Sequence, residues 1–295
     1  MKLETSIRTS HASTAELLNL SNDLRIREVQ SERWVHYPRA KAALVAMGRL
    51  AAHPRTTRMP SLAIYGDSGM GKTMLMRKFC EDHPPIVDPR KGIERQQILP
   101  IQMAGKPGER QLFAQILHAL GVNQGLRSGA VDMQFAVIRL LKAIGLQVLV
   151  IDEVHNILAG SAREQRIVLN TLRYLSNELN MSLVCFGVAD AREAISGDAQ
   201  LARRFDELTL TRWSSTPAFE ELMISILRNL PLREPSVLTA LSLRRILQIT
   251  EGLTARIFRL MNDLAITAIE NGVEKITDSA VDQWRPPFDA EAVAA

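Results

Sequence analysis

The chain has 295 residues, of which 46% are hydrophobic and 23% charged, and its formal net charge is +4. That composition belongs to a folded globular protein and excludes a disordered chain or a disulfide scaffold. Cys80 and Cys185 form no CxxC pair, so neither a zinc site nor a disulfide framework is indicated and a reducing cytoplasm is expected.

The first twenty residues lack the uninterrupted apolar core of a signal peptide. No apolar run approaches the roughly 18–20 residues that cross a bilayer, which predicts no export and no membrane insertion. Charge is uneven along the chain: residues 1–60 carry ten Lys/Arg against five Asp/Glu, and residues 274–295 carry two against five. The basic beginning is compatible with contact to a polyanion and equally with a solvated surface.

In chain order, residues 1–40 read as an N-terminal helical arm, and a helix over 39–50 follows Tyr37-Pro38. Apolar runs with turn signals at their edges then predict five strands, at 62–65, 98–103, 146–151, 183–186 and 208–210. Helical spacing fills the intervals. Pro107–Leu120 opens with proline at a first helical position, and Ala162–Asn180 places Val168, Leu172, Leu175 and Leu179 on one face. Strands alternating with helices predict an α/β core over 41–213 with a mostly parallel five-stranded sheet between helices.

Beyond Trp213–Pro217 the strand signal stops. Helices are expected at 216–229, 237–248, 254–271 and 278–284, so that 214–285 forms a helical segment and 286–295 an acidic tail. Ile257, Leu260, Met261, Leu264 and Ala268 mark the buried stripe of the third of these helices.

The strongest motif is Gly66-Asp67-Ser68-Gly69-Met70-Gly71-Lys72-Thr73, which fits G-x-x-x-x-G-K-[ST] between a predicted strand and a predicted helix. Its glycines let backbone N–H groups turn onto phosphates, and the helix that opens after Gly71 adds its positive dipole end. Lys72 is expected on the β- and γ-phosphates of ATP, and Thr73 on Mg²⁺. Further on, Val148-Leu149-Val150-Ile151-Asp152-Glu153 is an apolar strand ending in two acids. Parallel strands present ligands at their carboxyl ends, so Asp152 is expected as a second Mg²⁺ ligand and Glu153 as the group that activates water.

The order of phosphate loop, Asp-Glu strand, arginine pair and a helical tail opening with G-x-x-x-R resembles the AAA+ ATPases. Arg58-Met59-Pro60 before the loop, with Trp34-Val35-His36-Tyr37-Pro38 upstream, looks like TniB, a family of transposition ATPases related to TnsC and more distantly to MuB. The likeness runs from about Trp34 to Trp284 and implies an AAA+ P-loop core with the C-terminal helices as a lid.

It also implies further roles. Arg203 and Arg204 sit where related ATPases carry an arginine finger for the neighbouring subunit's γ-phosphate, although either could instead pair with Asp206 or Glu207. Arg256, in Gly252-Leu253-Thr254-Ala255-Arg256, resembles the second sensor of the lid, with a solvated position over the first turn of its helix the alternative. Tyr37 resembles residues that pack near the base, with core packing the alternative. Lys106 and Arg110, in the loop Gly105–Arg110, resemble a DNA-facing element, with a solvated charged loop the alternative.

The first sensor departs from the pattern. Phe186-Gly187-Val188-Ala189-Asp190 offers only Asp190, which is expected to cap the next helix, with water placement the alternative. The histidines at 36, 53, 83, 118 and 155 show no metal spacing and read as ordinary surface or core residues. The expected partners are double-stranded DNA, further copies in a ring or helical filament, a DDE transposase and a TniQ-type targeting protein. No membrane partner is expected. The same nucleotide motifs also serve motors or loaders of replication or secretion machinery, and nucleotide-switched scaffolds with little turnover. No acidic triad of an RNase-H-like pattern is visible, so strand transfer itself is expected of a partner.

Overall fold

The computed structural model describes residues 14–87, 94–122 and 129–285. The first thirteen residues of the expected arm and the acidic tail 286–295 lie outside the described residues. Seven strands are present among the described residues: β1 (Ser61–Gly66), β2 (Ile86–Val87), β3 (Glu94–Arg95), β4 (Ile98–Gln102), β5 (Val148–Asp152), β6 (Ser182–Gly187) and β7 (Phe205–Leu210). Five of them form one parallel sheet in the order β4-β5-β6-β1-β7. The pair β2 and β3 forms a small antiparallel ladder that periodicity did not reveal, because two residues per strand carry no pattern.

The burial of each strand follows from its place in the sheet. β1, β5 and β6 are buried at every position, which is why they read as unbroken apolar runs rather than alternating ones. β7 lies at an edge and is exposed at Asp206, Glu207 and Thr209. The covering helices are amphipathic. Ala162–Leu179 buries Val168, Leu172, Leu175 and Leu179, and its start is fixed by a reciprocal capping box between Ser161 and Glu164. Glu109–Ala119 buries Leu112, Phe113, Ile116 and Leu117. It starts at Glu109 with Gly108 as its cap, so Pro107 precedes the helix rather than opening it.

The chain separates into two compact units, one of residues 40–211 and one of residues 1–39 with 212–295. The second unit holds the helices Asn22–Gln30, Pro217–Asn229, Ala240–Thr250, Thr254–Glu270 and Asp278–Gln283. Asn22–Gln30 packs on Thr254–Glu270. Its Arg25 is fully buried and donates to both carboxylate oxygens of Glu274, at 2.7 and 2.6 Å, and to the Pro231 carbonyl at 2.9 Å. The helix expected from Val237 begins instead at Ala240. The Thr239 hydroxyl accepts the Ser242 N–H at 3.3 Å, and a cap fixes a helix start where apolar spacing cannot.

Trp213 is the hub of that unit. Its indole N–H donates to the Thr254 hydroxyl at 3.0 Å, its backbone N–H donates to the Gly252 carbonyl at 2.9 Å, and its ring meets Tyr37 edge-on at 5.4 Å. The Arg39 guanidinium lies 4.4 Å from the ring centre. Among the described residues, no helix is long and apolar enough to cross a membrane.

Candidate functional site

The site is built at the carboxyl edge of the parallel sheet. β1 runs out at Gly66 into the loop Asp67–Gly71, and the helix Lys72–Glu81 begins at once. Gly69 and Gly71 have φ of 79° and 90°, a left-handed region where a side chain is strained, which explains glycine at both. Gly71 caps the helix with no side chain over its end, so the first-turn N–H groups face outward as anion donors. Met70 turns inward and is buried, whereas Ser68 and Gly69 are exposed. Met70 can therefore serve a ligand only through its backbone.

Lys72 is buried, and its ammonium donates to the carbonyls of Gly66 at 2.7 Å and Asp67 at 3.0 Å. Its pKa is lowered, first by burial, while the carboxylates of Glu153, Asp152 and Asp67 act in the opposite direction. A cation drawn out of water beside three acids is poised to exchange loop carbonyls for phosphate oxygens.

β5 ends at Asp152, one strand away from β1 across β6. Two strand spacings separate their axes by about 10 Å, and side chains close that gap. The Thr73 hydroxyl donates to Asp152 Oδ2 at 3.1 Å, while Asp152 Oδ1 accepts the Glu153 N–H at 2.9 Å. Hydroxyl and carboxylate oxygens are the hard donors magnesium prefers. Magnesium also takes few protein ligands beside substrate phosphates and water. Among the described residues no group of three or more His, Cys, Asp or Glu could hold a metal ion. The pair Thr73 and Asp152 thus fits magnesium bound together with a nucleotide.

Glu153 stands at φ 55°, left-handed for a residue with a side chain, at a cost of about 1–3 kcal/mol. Its Oε2 lies 3.1 Å from His155 Nε2. His155, which its lack of metal spacing leaves as an ordinary histidine, thus stands in contact with the acid pair. The signal available in the sequence was its place two residues after the acid pair.

The other expected residues are placed as follows. Arg203 and Arg204 precede β7 at the opposite, amino edge of the sheet, since Phe205 pairs with Ser61 and Leu210 with Gly66. Arg203 is exposed and makes no side-chain hydrogen bond or ion pair among the described residues. Arg204 is half-buried and donates to Asn177 Oδ1 at 2.8 Å. Its pKa is lowered by burial, and then by the charges of Arg58 and Arg173. Neither arginine pairs with Asp206 or Glu207; Glu207 binds Arg192 at 2.9 Å.

Arg256 lies in the first turn of Thr254–Glu270, exposed and paired with Glu251. Tyr37 is largely buried, which pushes its pKa up to about 12, and packs on Trp213. Lys106 is exposed, with Glu164 feeling its charge, and Arg110 sits on the helix Glu109–Ala119 rather than in a loop. Asp190 does not cap as expected. Its φ and ψ of −63° and −20° are already helical, which turns the side chain away from the N–H groups it would satisfy.

Comparison with known proteins is consistent with this geometry. The profile of the family described as "Bacterial TniB protein" matches residues 25–215. No curated protein sequence matches significantly. Among solved structures, the Aeropyrum pernix ORC2 protein in ADPNP-ADP complexes is similar at TM-score 0.58 and 16% identity, covering 91% of this chain and 74% of that one. Drosophila ORC bound to DNA is similar at TM-score 0.59 and 16% identity, covering 100% and 72%. Cdc6p from Pyrobaculum aerophilum is similar at TM-score 0.58 and 18% identity, covering 90% and 73%. At such identities these likenesses speak for the fold, which is that of the AAA+ ATPases, and the family profile speaks for the kind: the chain belongs to the bacterial TniB family.

Proposed function

We propose that the protein is a magnesium-dependent ATPase that assembles on target DNA and presents it to a DDE transposase. The observation that carries this reading is the meeting of Thr73, Asp152 and Glu153 at the mouth of the Gly66–Thr73 loop in a chain of the TniB family. In this account the loop N–H groups and Lys72 hold the β- and γ-phosphates of ATP, neutralising charge that grows as the terminal phosphoryl group leaves. Magnesium, bound through the Thr73 hydroxyl and the Asp152 carboxylate, would add charge neutralisation at the phosphate oxygens. Glu153 accepts a proton from the water that attacks the γ-phosphorus as the bond to the bridging oxygen breaks.

An arginine at the amino edge of the sheet is a strand length, about 15 Å, from its own phosphate loop. A finger from that edge would therefore act on the nucleotide of a neighbouring copy. Arg203, exposed and without a side-chain hydrogen bond or ion pair among the described residues, suits the role better than Arg204, which Asn177 holds. Arg256 would report on the γ-phosphate from the lid after leaving Glu251, an exposed pair that costs little to open.

ATP held between copies would stabilise a ring or helical filament, and hydrolysis would release it. Lys106 and Arg110 are the proposed backbone contacts to duplex DNA, positioning the protein without reading sequence. The solved structure named Drosophila ORC bound to DNA supports the idea that such a fold can engage DNA. A TniQ-type protein would be a further partner.

The test is electron microscopy of the protein with linear duplex, with and without ATP and magnesium. Nucleotide-dependent rings or filaments on the duplex are expected. If the protein turns over ATP yet forms no assembly on DNA, the transposition reading gives way to that of a motor, loader or scaffold.

A further inference from the structure

A carboxylate on a freely turning side chain spends most of its time misaligned with any water it must activate, and a misplacement of about 1 Å can cost roughly 100-fold in rate. The surroundings of Glu153 hold it by several independent restraints. Its backbone is fixed by the hydrogen bond from its N–H to Asp152 Oδ1 at 2.9 Å. The 3₁₀ turn Val154–Ala159 that follows is pinned at both faces. Val154 and Ile157 are buried, Asn156 donates through its side chain to the Met103 carbonyl at 3.0 Å, and the Asn156 N–H donates to the Glu153 carbonyl at 2.9 Å.

Gly187, at the end of β6, explains how closely the turn approaches the sheet. A Cβ built there would lie 3.2 Å from Val154 Cγ1 and 3.6 Å from the His155 backbone N, as well as 2.5 Å from Ala191 Cβ. The apparent loss of a polar residue at this strand end therefore leaves space that the turn carrying His155 fills.

From that pinned turn His155 reaches back to Glu153, Nε2 to Oε2 at 3.1 Å. The second ring nitrogen, Nδ1, is buried without a hydrogen-bond partner among the described residues. A proton on Nδ1 would face no acceptor, whereas a proton on Nε2 faces a carboxylate oxygen, so the neutral ring donates through Nε2.

We infer that His155 is a positioning residue, holding Glu153 by Oε2 so that Oε1 is left to receive the attacking water. The inference rests on the reading of Glu153 as the water-activating group. The effect of His155 on rate would pass through the orientation of Glu153.

The test uses the full chain with ATP and magnesium. It measures kcat, KM and equilibrium ATP binding for the wild type, Glu153→Gln, His155→Phe and His155→Gln, with circular dichroism and melting for each. His155→Phe keeps a flat side chain but no donor and is expected to lower kcat tenfold to a hundredfold, with KM and ATP affinity within about twofold of wild type. His155→Gln places an amide N–H near the position of Nε2 and is expected to recover most of the rate, a rescue that mere filling of space would not give. Adding His155→Phe to Glu153→Gln is expected to cost nothing further, because the positioned group is already gone.

Wild-type or faster turnover by His155→Phe would overturn the inference, the faster case marking the contact as a restraint. A folded His155→Gln as slow as His155→Phe would also overturn it. Should His155→Phe fail to fold, a folded His155→Gln with turnover far below wild type decides against the inference, and near-wild-type turnover upholds the donor role. Equal turnover by wild type and Glu153→Gln would instead remove the role of Glu153 and the inference with it.

Discussion

The Thr73 hydroxyl and an Asp152 carboxylate oxygen lie 3.1 Å apart although 79 residues separate them in the chain. The parallel sheet brings the ends of β1 and β5 to one edge, and these two side chains join the phosphate loop to the acid strand. Asp152→Asn is therefore expected to weaken nucleotide binding in magnesium far more than in EDTA, and to lower turnover by at least tenfold. Chelation should have the same effect on the wild type. Calorimetric titration of ATP with and without magnesium checks both, and equal affinities of wild type and Asp152→Asn in magnesium would remove Asp152 from the metal site.

Arg25 and Glu274 form a buried ion pair that ties the helix Asn22–Gln30 to the C-terminal helices. Arg25→Met leaves the Glu274 carboxylate with only Arg233, at 3.3 Å, and is expected to destabilise the protein by about 3–5 kcal/mol. The pair also sets a pH dependence. Hydrogen bonding from Arg25, more than any other cause, holds the Glu274 carboxyl below its ordinary value of 4.5. A carboxyl with a lowered folded pKa stabilises the fold fully above its unfolded value and loses that contribution as pH falls through the folded one. Urea melts of wild type and Glu274→Gln between pH 7 and pH 3 should converge at the acid end. A difference independent of pH would contradict the assignment.

Gly252 has φ +67°, and a Cβ there would meet the Trp213 carbonyl oxygen at 2.3 Å and the Trp213 nitrogen at 3.0 Å. Gly252→Ala thus combines a left-handed backbone, costing about 1–3 kcal/mol, with a clash against main chain that cannot rotate away. A loss of at least about 2 kcal/mol in melting is expected. Gly48→Ala, within the helix Pro38–Ala51 and with nothing within 4 Å of its new Cβ, is expected to be neutral or stabilising by up to about 1 kcal/mol.

Arg203→Ala is expected to retain ATP binding and lose turnover by about 10³-fold, with Arg204→Ala less affected. Because the proposed finger acts on a neighbour, mixing Arg203→Ala with Glu153→Gln should restore part of the turnover, each supplying what the other lacks. Mixtures no faster than the two proteins assayed separately would contradict action between copies.

Much of this was legible in the sequence, for physical reasons that differ from place to place. Gly66–Thr73 and Asp152–Glu153 stood out because a glycine-rich loop between strand and helix and an acid pair at a strand end are patterns of residue type at fixed spacing, and the fold brings Thr73 and Asp152 within 3.1 Å. β1, β5 and β6 read clearly because strands covered on both faces are continuous apolar runs, whereas the edge strand β7 showed only its end at 208–210 because its first half is exposed and charged, and Val168, Leu172, Leu175 and Leu179 showed the period of their helix. What failed were local choices settled by caps and tertiary contacts. The start at Glu109 rather than Pro107, the start at Ala240 rather than Val237 and the unused side chain of Asp190 depend on backbone angles that periodicity does not encode. The contact of His155 with Glu153 at 3.1 Å was not legible, because it depends on the left-handed backbone at 153 and the absence of a side chain at 187.

The most direct measurement is ATP binding and hydrolysis, side by side, by the wild type, Lys72→Ala and Glu153→Gln. The wild type should bind and hydrolyse. Glu153→Gln should bind with near-native affinity and release no phosphate, and Lys72→Ala, lacking charge-assisted bonds of about 1.5–3 kcal/mol, should bind at least tenfold more weakly. Undiminished affinity in Lys72→Ala, or wild-type phosphate release by Glu153→Gln, would contradict the account.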